Sequence, residues 1–312
     1  MSKKFIFALQ LSIFTSAIPR RPRDAVLFNN ATRYHTSGTL KGLSSAAGSN
    51  GWNVMDFDAV SDCDSLDTDN TVQFQKALDA AASAGGGKVY APPGCFVFDG
   101  ELDVAEGVTL SGSWQTVPSH DYKAGESATS GTGTTLLPRN NRDCAPSDSS
   151  NSDTGGYCDG PFITLNANAK LQGVTIFYPE QLPNETPHSY PYSVAMVGNN
   201  AAVTDVELLN SFNGIWAVQA HRHYIARVQG QPTNVGLFVD QTYDIGRIED
   251  VHWNPWYSMD DAYFTFQCLH GRAFVMGRSD WEYVFNTFAF GYAFGYHFVD
   301  TGDGAMNVST FG

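Results

Sequence analysis

A short pattern of aliphatic residues recurs through the middle of this chain and restricts the folds open to it. Four six-residue segments each carry an aliphatic residue at their first and fourth places; they begin at Leu171, Val203, Ile225 and Ile245. The later starts lie 22 (203 to 225) and 20 (225 to 245) residues apart. The first gap is 32 (171 to 203), and the Pro-rich stretch 179–191 accounts for the excess.

A fixed period near 20 residues is typical of a solenoid, in which each unit buries its apolar face only against its neighbours. A second series of β-rich runs, beginning at Val194, Ile215 and Val235, lies between the first segments at spacings of 21 and 20. Asn, Gly and Pro separate the runs, and no helix-length periodic stretch lies between them. The pattern predicts a parallel β-helix; leucine-rich repeats share the period, but their leucine pattern is missing.

The N-terminus predicts a secreted protein. Two lysines precede the apolar run Phe5–Phe14, and Ala17 ends a small-residue cleavage site, so we expect residues 1–17 to be a signal peptide. The run is too short to cross a bilayer, and no membrane partner is expected. Residues 18–50 read as an irregular arm. Three glycosylation sequons are typical of a secreted glycoprotein, at Asn30, Asn184 and Asn307.

The charge balance argues against nucleic acid as a partner. Only 16% of the 312 residues are charged, and the net charge is −14. Binding to nucleic acid depends on clustered Lys and Arg that neutralise phosphates. The many aromatic residues, 21 Phe, 14 Tyr and 6 Trp, could instead form platforms for sugar rings or fill the solenoid.

Five cysteines fit an oxidising compartment. Cys144 and Cys158 bracket a loop rich in Ser, Asp and Gly, and we expect them to staple it. Cys63 and Cys95 flank the unit described next and could pair. Cys268 lies in an apolar run and is expected to be a buried thiol.

A helix followed by a strand precedes the repeats. Asp69 or Asn70 is suited to the N-cap, and Gly85–Gly87 ends the helix. The predicted buried stripe consists of Val72, Ala77, Leu78 and Ala81. A short strand, Lys88–Ala91, follows and ends at two prolines.

These residues, with Gly85–Gly94 and Gly107–Gly112, resemble the N-terminal module of the pectate lyase superfamily. The resemblance implies an all-β, right-handed, single-stranded parallel β-helix over residues 51–312, with an N-terminal capping α-helix. The superfamily includes polygalacturonase-like hydrolases, exo-β-1,3-glucanases and tailspike-type depolymerases. A cap is physically reasonable because an uncovered coil exposes apolar interior and unpaired strand edges.

Two further segments complete the predicted organisation. Residues 115–160 form a polar insertion, which could be a wall of a groove or only a surface loop. No capping element is recognisable near residues 307–312, so we expect the chain to be incomplete there or completed by another chain. A monomer and a homotrimer both remain open.

The residues at the third and fifth places of the repeats form a candidate catalytic site. Side chains alternate along a strand, so these places should face solvent. The third place carries Gly173, Asp205, Arg227 and Arg247, and the fifth carries Thr175, Glu207, Gln229 and Glu249. The two glutamates, two rungs apart, would be separated by about 9–10 Å. Inverting glycosidases need two carboxyl groups at roughly 6.5–9.5 Å.

This column has two interpretations. In the functional one, Glu207 and Glu249 are the catalytic pair, Asp205 and Asp244 are further catalytic candidates, and Arg227 and Arg247 bind an acidic sugar. In the structural one, the same residues form solvated ion pairs, Asp205 with Arg227 and Arg247 with Glu249. The candidate sugar platforms are Trp253, Trp256 and Trp281, with core packing as the alternative for each.

The resulting hypothesis is a secreted glycoside hydrolase acting on an acidic or cell-wall polysaccharide, with no cofactor. A polysaccharide lyase is the second possibility; it could use Ca²⁺ held by Asp240, Asp244 and Asp250. A non-catalytic carbohydrate-binding or cell-surface solenoid is the third.

Overall fold

The computed structural model describes residues 51–145, 158, 160–304, 306 and 308–311. The predicted signal peptide (1–17), the arm (18–50), Asn30 and Asn307 lie outside these residues. The start of the solenoid at residue 51, the incomplete C-terminus and the oligomeric state stay predictions. In the part of the chain that is described, no helix is both long and apolar enough to cross a membrane.

Two sheets of parallel strands wind the described chain into a solenoid. The larger sheet has 13 described strands: β1 (Trp52–Asn53), β2 (Gly87–Tyr90), β3 (Gly94–Phe98), β5 (Val108–Ser111), β6 (Thr134–Pro138), β8 (Lys170–Gln172), β9 (Thr175–Ile176), β11 (Ala202–Leu208), β13 (Tyr224–Gly230), β15 (Gly246–Trp253), β17 (Glu282–Phe285), β18 (Phe288–Ala289) and β20 (Val308–Phe311). The smaller has 7: β4 (Leu102–Val104), β7 (Ile163–Leu165), β10 (Tyr192–Met196), β12 (Asn213–Val218), β14 (Val235–Asp240), β16 (Arg272–Met276) and β19 (Phe294–Phe298). Along the chain, one to three strands of the larger sheet are followed by one strand of the smaller sheet, again and again, so the predicted parallel β-helix is confirmed.

Helices are few among the described residues. Two α-helices, α1 (Thr71–Ser83) and α2 (Asp261–His270), and two short 3₁₀ turns (Val54–Phe57 and Tyr122–Ala124) accompany the strands. The predicted helix α1 is present and packs on the first coils. Its Phe74 ring lies 5.1 Å from that of Phe96 and 4.9 Å from that of Phe98. Phe74 therefore replaces Val72, which is 55% exposed, in the predicted apolar stripe.

Strand register confirms most of the predicted stacking and corrects one step in each series. In the second series, Val194 pairs with Ile215 as predicted, but Ile215 pairs with Leu237 and not with Val235. Val203 pairs with Leu171 on one side and with Ile225 on the other. Ile225, however, pairs with Ile248 and not with the predicted Ile245. Ile245 and Ile248 are spaced like Ile248 and Val251, so the aliphatic pattern fits either alignment. The third and fifth places of this coil are consequently Asp250 and His252, not Arg247 and Glu249.

A left-handed backbone corner at the third place explains the register. Asp205, Arg227 and Asp250 have φ angles of 58°, 52° and 53°, and Gly173 has 67°. Such a residue bends the strand between its second and fourth places. Gly and Asp tolerate this conformation better than most residues. The register that aligns these corners places Asp250, and not Arg247, beside Arg227.

The residues that the repeat pattern predicts to point inward form the core of the solenoid. Val203, Val206 and Leu208 are fully buried and join one continuous core with the aliphatic residues of the other coils.

Both proposed disulfides are present, Cys63–Cys95 and Cys144–Cys158. Cys268 was predicted to be buried, but it is free and exposed on α2. The mixture of aromatic and apolar residues in 263–269 conceals the helical pattern in the sequence. In the structure, this helix buries only Tyr263 and Gln267.

Candidate functional site: an open groove on the larger sheet

An open groove of about 430 Å³ lies on the outer face of β13, β15 and β18. Its lining consists of Val117, Arg227, Gln229, Asp250, Val251, His252, Asn286 and Phe288. The volume falls within the range of about 300–1,000 Å³ that is usual for ligand clefts. Polar side chains that can exchange hydrogen bonds with hydroxyl groups, together with an aromatic ring, are suited to a sugar.

The groove floor is built from two columns of side chains on successive rungs. Gln229 pairs with His252, and His252 pairs with Phe288, so these three fifth-place residues stack across the coils. Asp250 and Asn286 occupy left-handed corners, Asn286 with φ 50°. The Asn286 amide donates a hydrogen bond of 2.6 Å to the Asp250 carboxylate. The fold therefore repeats one geometry, rung by rung, with different chemistry at each step.

Arg227 is held by Asp205 on the preceding rung. Its Nε and Nη2 donate to the two Asp205 carboxylate oxygens at 2.6 and 2.8 Å. Burial alone raises the pKa of Asp205, but the hydrogen bond and charge of Arg227 outweigh it and lower the pKa below its ordinary value. The ion-pair interpretation of these two residues is confirmed, and the same pair fixes Arg227 at the groove.

His252 is a titratable side chain of the groove that packs against two aromatic rings. Its ring contacts those of Trp256 and Phe288 edge to face, with centroids 4.7 and 4.6 Å away. Burial lowers the pKa of His252 below its ordinary value. An imidazole is then unprotonated at neutral pH and can accept a proton. The groove thus contains a candidate general base.

One wall of the groove is a loop at the start of the predicted insertion, which we call the wall loop (residues 113–126). Val117 lines the groove, and the Pro118 carbonyl accepts a hydrogen bond from the Gln229 amide. The Glu207 carboxylate anchors the loop: it accepts from the His120 backbone N–H at 2.6 Å and meets His120 Nδ1 at 2.6 Å. This part of the insertion is a wall and not only a decorated surface.

Glu207 does not face solvent as the alternation rule predicts. It is 0% exposed, because the wall loop covers it, and Thr175 donates a further hydrogen bond of 2.8 Å to it. Burial lowers the pKa of His120, but the hydrogen bond and charge of Glu207 outweigh this, and the net shift is upward. A covered, fully bonded carboxylate holds the loop and is not presented to a substrate.

The remaining acidic and basic candidates lie away from the groove lining. Glu249 accepts a hydrogen bond of 3.0 Å from the Tyr224 hydroxyl. Arg247 is exposed beside Tyr224 in the register. Asp244 is paired with Arg222 at 2.7 Å on another corner of the solenoid. The structure therefore brings Arg227 into the groove but leaves Glu249, Arg247 and Asp244 outside it.

The three tryptophans have three different positions. Trp253 is 0% exposed in the core, so it offers no ring to a ligand. Trp256 is half-buried and touches His252 at the groove. Trp281 is 58% exposed but does not line the groove. None of the three tryptophans lines the groove itself, and Trp256 is linked to it only through its contact with His252.

The proposed calcium ligands are dispersed. Asp240 is buried and accepts hydrogen bonds from the Arg278 backbone N–H and the Thr301 hydroxyl, both at 2.7 Å. Asp244 lies on its own corner, and Asp250 lies in the groove. Over the described ranges, no group of three or more His, Cys, Asp or Glu side chains could hold a metal ion. The predicted cluster is wrong, and these residues do not fit Ca²⁺.

Sequence reasoning missed His252, Asn286 and Phe288 as site residues. Their signal was present, because His252 occupies the fifth place of a repeat that begins at Ile248. The choice of Ile245 as the start concealed it. Asn286 and Phe288 follow Val284 in the same way, with spacings that match Asp250 and His252 after Ile248.

Comparison with known proteins supports the fold and its N-terminal module. Residues 51–143 match the family described as rhamnogalacturonase A/epimerase, pectate lyase-like. No curated protein matches the chain. The structure is one of the parallel β-helix class. More specifically, the predicted resemblance is confirmed over residues 51–143, which are similar to the pectate lyase-like family.

Several solved structures are similar in fold at low identity. A putative glycosyl hydrolase from Parabacteroides merdae is 12% identical, with 83% of this chain and 95% of that chain covered and a TM-score of 0.43. An exopolygalacturonase from Thermotoga maritima is 13% identical, with 84% and 69% covered and a TM-score of 0.40. A pectin methylesterase from Aspergillus niger is 10% identical, with 85% of each chain covered and a TM-score of 0.44. These likenesses carry no conclusion about activity.

Proposed function

We propose that this protein is a secreted enzyme that cleaves a uronate-containing polysaccharide lying in the groove, by β-elimination. The observation that carries the proposal is the His252 imidazole. Its pKa is lowered by burial between Trp256 and Phe288, yet it opens onto a groove that also holds Arg227. A neutral base beside a fixed cation is what proton abstraction next to a carboxyl group requires.

The chemistry assigns one task to each side chain. The hydrogen at C5 of a uronate is acidified by the neighbouring carboxyl group. His252 removes this proton, the electron pair forms the C4–C5 double bond, and the glycosidic C4–O bond breaks. The departing oxygen takes a proton from solvent. Arg227 stabilises the negative charge that develops on the carboxyl group, and its pairing with Asp205 holds it in place.

Hydrolysis is the second candidate, and Asp250 favours it. Asp250 is an exposed carboxylate in the groove two residues before His252, so an acid–base pair of carboxylate and imidazole is available. The pair Glu207 and Glu249 offers less support, because Glu207 is covered by the wall loop. Hydrolysis and elimination give different products, so one assay separates them.

The test is a screen on pectin, polygalacturonate, rhamnogalacturonan, alginate and ulvan, with new reducing ends and ultraviolet absorbance followed together. Elimination produces both signals, since each cut leaves an unsaturated sugar. His252→Gln should lower the rate by about 10²–10⁴-fold, the usual contribution of a general base. His221→Gln, at a turn outside the groove, is the matched control and should keep the rate.

Three results would count against the proposal. Reducing ends without unsaturated product would indicate hydrolysis. Full activity of His252→Gln would remove the proposed base. Tight binding of glycans by the folded protein without any turnover would favour the non-catalytic carbohydrate-binding solenoid.

A further inference from the structure

A histidine and a glutamate from different coils meet inside the solenoid. His223 lies immediately before β13, Glu282 is the first residue of β17, and both side chains are 0% exposed. Nε2 of His223 lies 2.9 Å from Oε1 of Glu282, although the two residues are 59 apart in the chain. Neither residue lines the groove, so the pair has no part in the chemistry proposed above.

The contact reaches across an intervening coil. β13 pairs with β15, and β15 pairs with β17, so His223 and Glu282 belong to coils that are two rungs apart. Gly246, the first residue of β15, lies between them. A Cβ atom at Gly246 would collide with the Glu282 carboxyl group and with the His223 ring. The missing side chain therefore leaves the space in which the two partners meet.

Both nitrogens of the His223 ring are engaged, and this determines how many protons the pair holds. Nδ1 lies 2.9 Å from the Ala220 carbonyl, which can only accept, so Nδ1 carries a hydrogen. Nε2 faces a carboxyl oxygen, and a hydrogen bond there requires one further proton, on Nε2 or on Glu282. Without this shared proton, the lone pair of Nε2 faces a carboxylate oxygen.

The second oxygen of Glu282 is satisfied by hydroxyl groups. Ser279 donates to Oε2 at 2.8 Å, and Thr242 donates to Ser279 at 2.6 Å. Both hydroxyl residues are fully buried and uncharged, so no water and no cation replaces the shared proton if it leaves. A buried charge that loses its partner in this way is strongly destabilising.

Glu282 is the charged group that faces His223 within the described part of the chain. Burial lowers the pKa of His223, but the charge and hydrogen bond of Glu282 outweigh it, and the net shift is upward. The other charged side chains of the neighbouring elements are engaged elsewhere or exposed: Arg222 pairs with Asp244, Arg278 pairs with Asp280, Asp240 accepts from the Arg278 backbone N–H and from Thr301, Glu249 accepts from Tyr224, and Arg247 is exposed.

We propose that the proton shared by His223 and Glu282 holds the coil formed by β17 and β18 (residues 282–289) in place, and that this coil opens when the proton is lost as the pH rises. The same coil carries Asn286 and Phe288, which line the groove. Each coil of a solenoid contacts only its neighbours, so one coil can open while the others stay folded. One side of the groove is therefore under the control of pH, whatever reaction the groove carries out.

Amide hydrogen exchange with mass spectrometry tests this proposal, from near the ordinary histidine pKa of about 6.5 up to about pH 10. Protection factors are compared, because the exchange of an unprotected amide itself becomes faster as the pH rises. Protection over residues 279–290 of the wild type should fall by about tenfold or more, the effect of a pKa difference of about one unit between the closed and the open coil. Protection over β11 should not fall with it.

Glu282→Gln should reverse the direction of the effect. Its amide N–H₂ group donates to a neutral Nε2, and its amide oxygen still accepts from Ser279, so the unprotonated ring satisfies the site. Protection over residues 279–290 should then be kept at high pH and reduced at low pH, where a protonated ring meets the amide N–H₂ group. A mere loss of packing lowers protection at every pH and does not give this reversal.

Two further variants complete the test. His223→Gln donates to Glu282 at every pH, so its protection over residues 279–290 should not change with pH; it decides the matter if Glu282→Gln does not fold. His270→Gln, at an exposed position on α2, is the matched control and should behave like the wild type.

Three results would overturn the proposal. The first is wild-type protection over residues 279–290 that stays constant with pH. The second is protection that falls equally over β11, which would indicate unfolding of the whole stack. The third is a folded Glu282→Gln or His223→Gln protein whose coil opens with rising pH as in the wild type.

Discussion

The His120 imidazole and the Glu207 carboxylate meet inside the protein, 87 residues apart in the chain, with Nδ1 2.6 Å from Oε2. The same carboxylate accepts the His120 backbone N–H through its other oxygen. One side chain from strand β11 thus holds both the backbone and the ring of the wall loop. The position of the groove wall depends on this contact.

The first prediction concerns this anchor. His120→Ala should destabilise the protein by about 3 kcal/mol, because it removes the imidazole from the covered Glu207 carboxylate and leaves it only the bonds from Thr175 and the backbone N–H. The wall loop should also open, and amide hydrogen exchange over residues 113–126 should rise. Chemical denaturation measures the first effect and exchange with mass spectrometry the second.

Two variants control this experiment. Glu185→Gln replaces an exposed carboxylate far from the wall loop in sequence and should leave unfolding unchanged. The double variant His120→Ala/Glu207→Gln should cost less than the sum of its parts, since the second change removes the charge left unpaired by the first. A double variant with strictly additive effects would mean that the two residues do not interact.

A second prediction follows from the raised pKa of His120. Its folded pKa lies above the ordinary value of about 6.5, because Glu207 outweighs the opposing effect of burial. The stabilisation is therefore complete below the unfolded pKa and is lost as the pH rises through the folded one. Buried His223, paired with Glu282, shifts in the same direction and adds to the slope.

The measurement compares the melting temperature of wild type and His120→Gln from acidic to mildly alkaline pH. The melting temperature of the wild type should fall more than that of the variant as the pH rises. Because both proteins keep His223, the difference between the two curves reports His120 alone. Parallel curves would show that His120 does not titrate with folding.

The repeat segments show how far sequence reasoning reaches. Aliphatic periodicity correctly placed Leu171, Val203 and Ile225 above one another, because a missing apolar residue at an inward place would open the core. It failed at Ile245 because two overlapping frames satisfy the same spacing. Backbone conformation at the corner decides between them, and periodicity does not report it.

The candidate site was less accessible to sequence reasoning for a related reason. Alternation predicts that Glu207 faces outward, which is correct for the strand, but a loop from residues 113–126 covers that face. Contacts between segments 87 residues apart leave no local signal. The lowered pKa of His252 likewise depends on Trp256 and Phe288, which come together only in the fold.

The corrected register makes a third prediction. Asp250 lies in the groove beside Arg227, whereas Arg247 lies outside it. Asp250→Asn should therefore change the Michaelis constant or the turnover number on any substrate that the protein cleaves, and Arg247→Gln should change neither. Steady-state kinetics on the two purified variants checks this. The opposite result would restore the register in which Ile245 follows Ile225.

The fourth prediction concerns the pH dependence of activity. Burial between Trp256 and Phe288 lowers the pKa of His252. On the acid side of the pH profile, kcat/KM should therefore reach half of its maximum at a pH below the ordinary histidine pKa of about 6.5. Phe288→Ser exposes the ring to water and should raise that pKa towards the ordinary value. The acid limb then moves to higher pH. Activity at pH values above the limb should be reduced far less than activity on the limb itself.

Phe285 supplies the matched control for this shift. It is an exposed phenylalanine on the preceding strand that does not line the groove, so Phe285→Ser should leave the acid limb in place. A shift that is equal in both variants would point to a general loss of packing near the end of the solenoid. A shift in Phe288→Ser alone ties the limb to His252, since Phe288 contacts that ring directly.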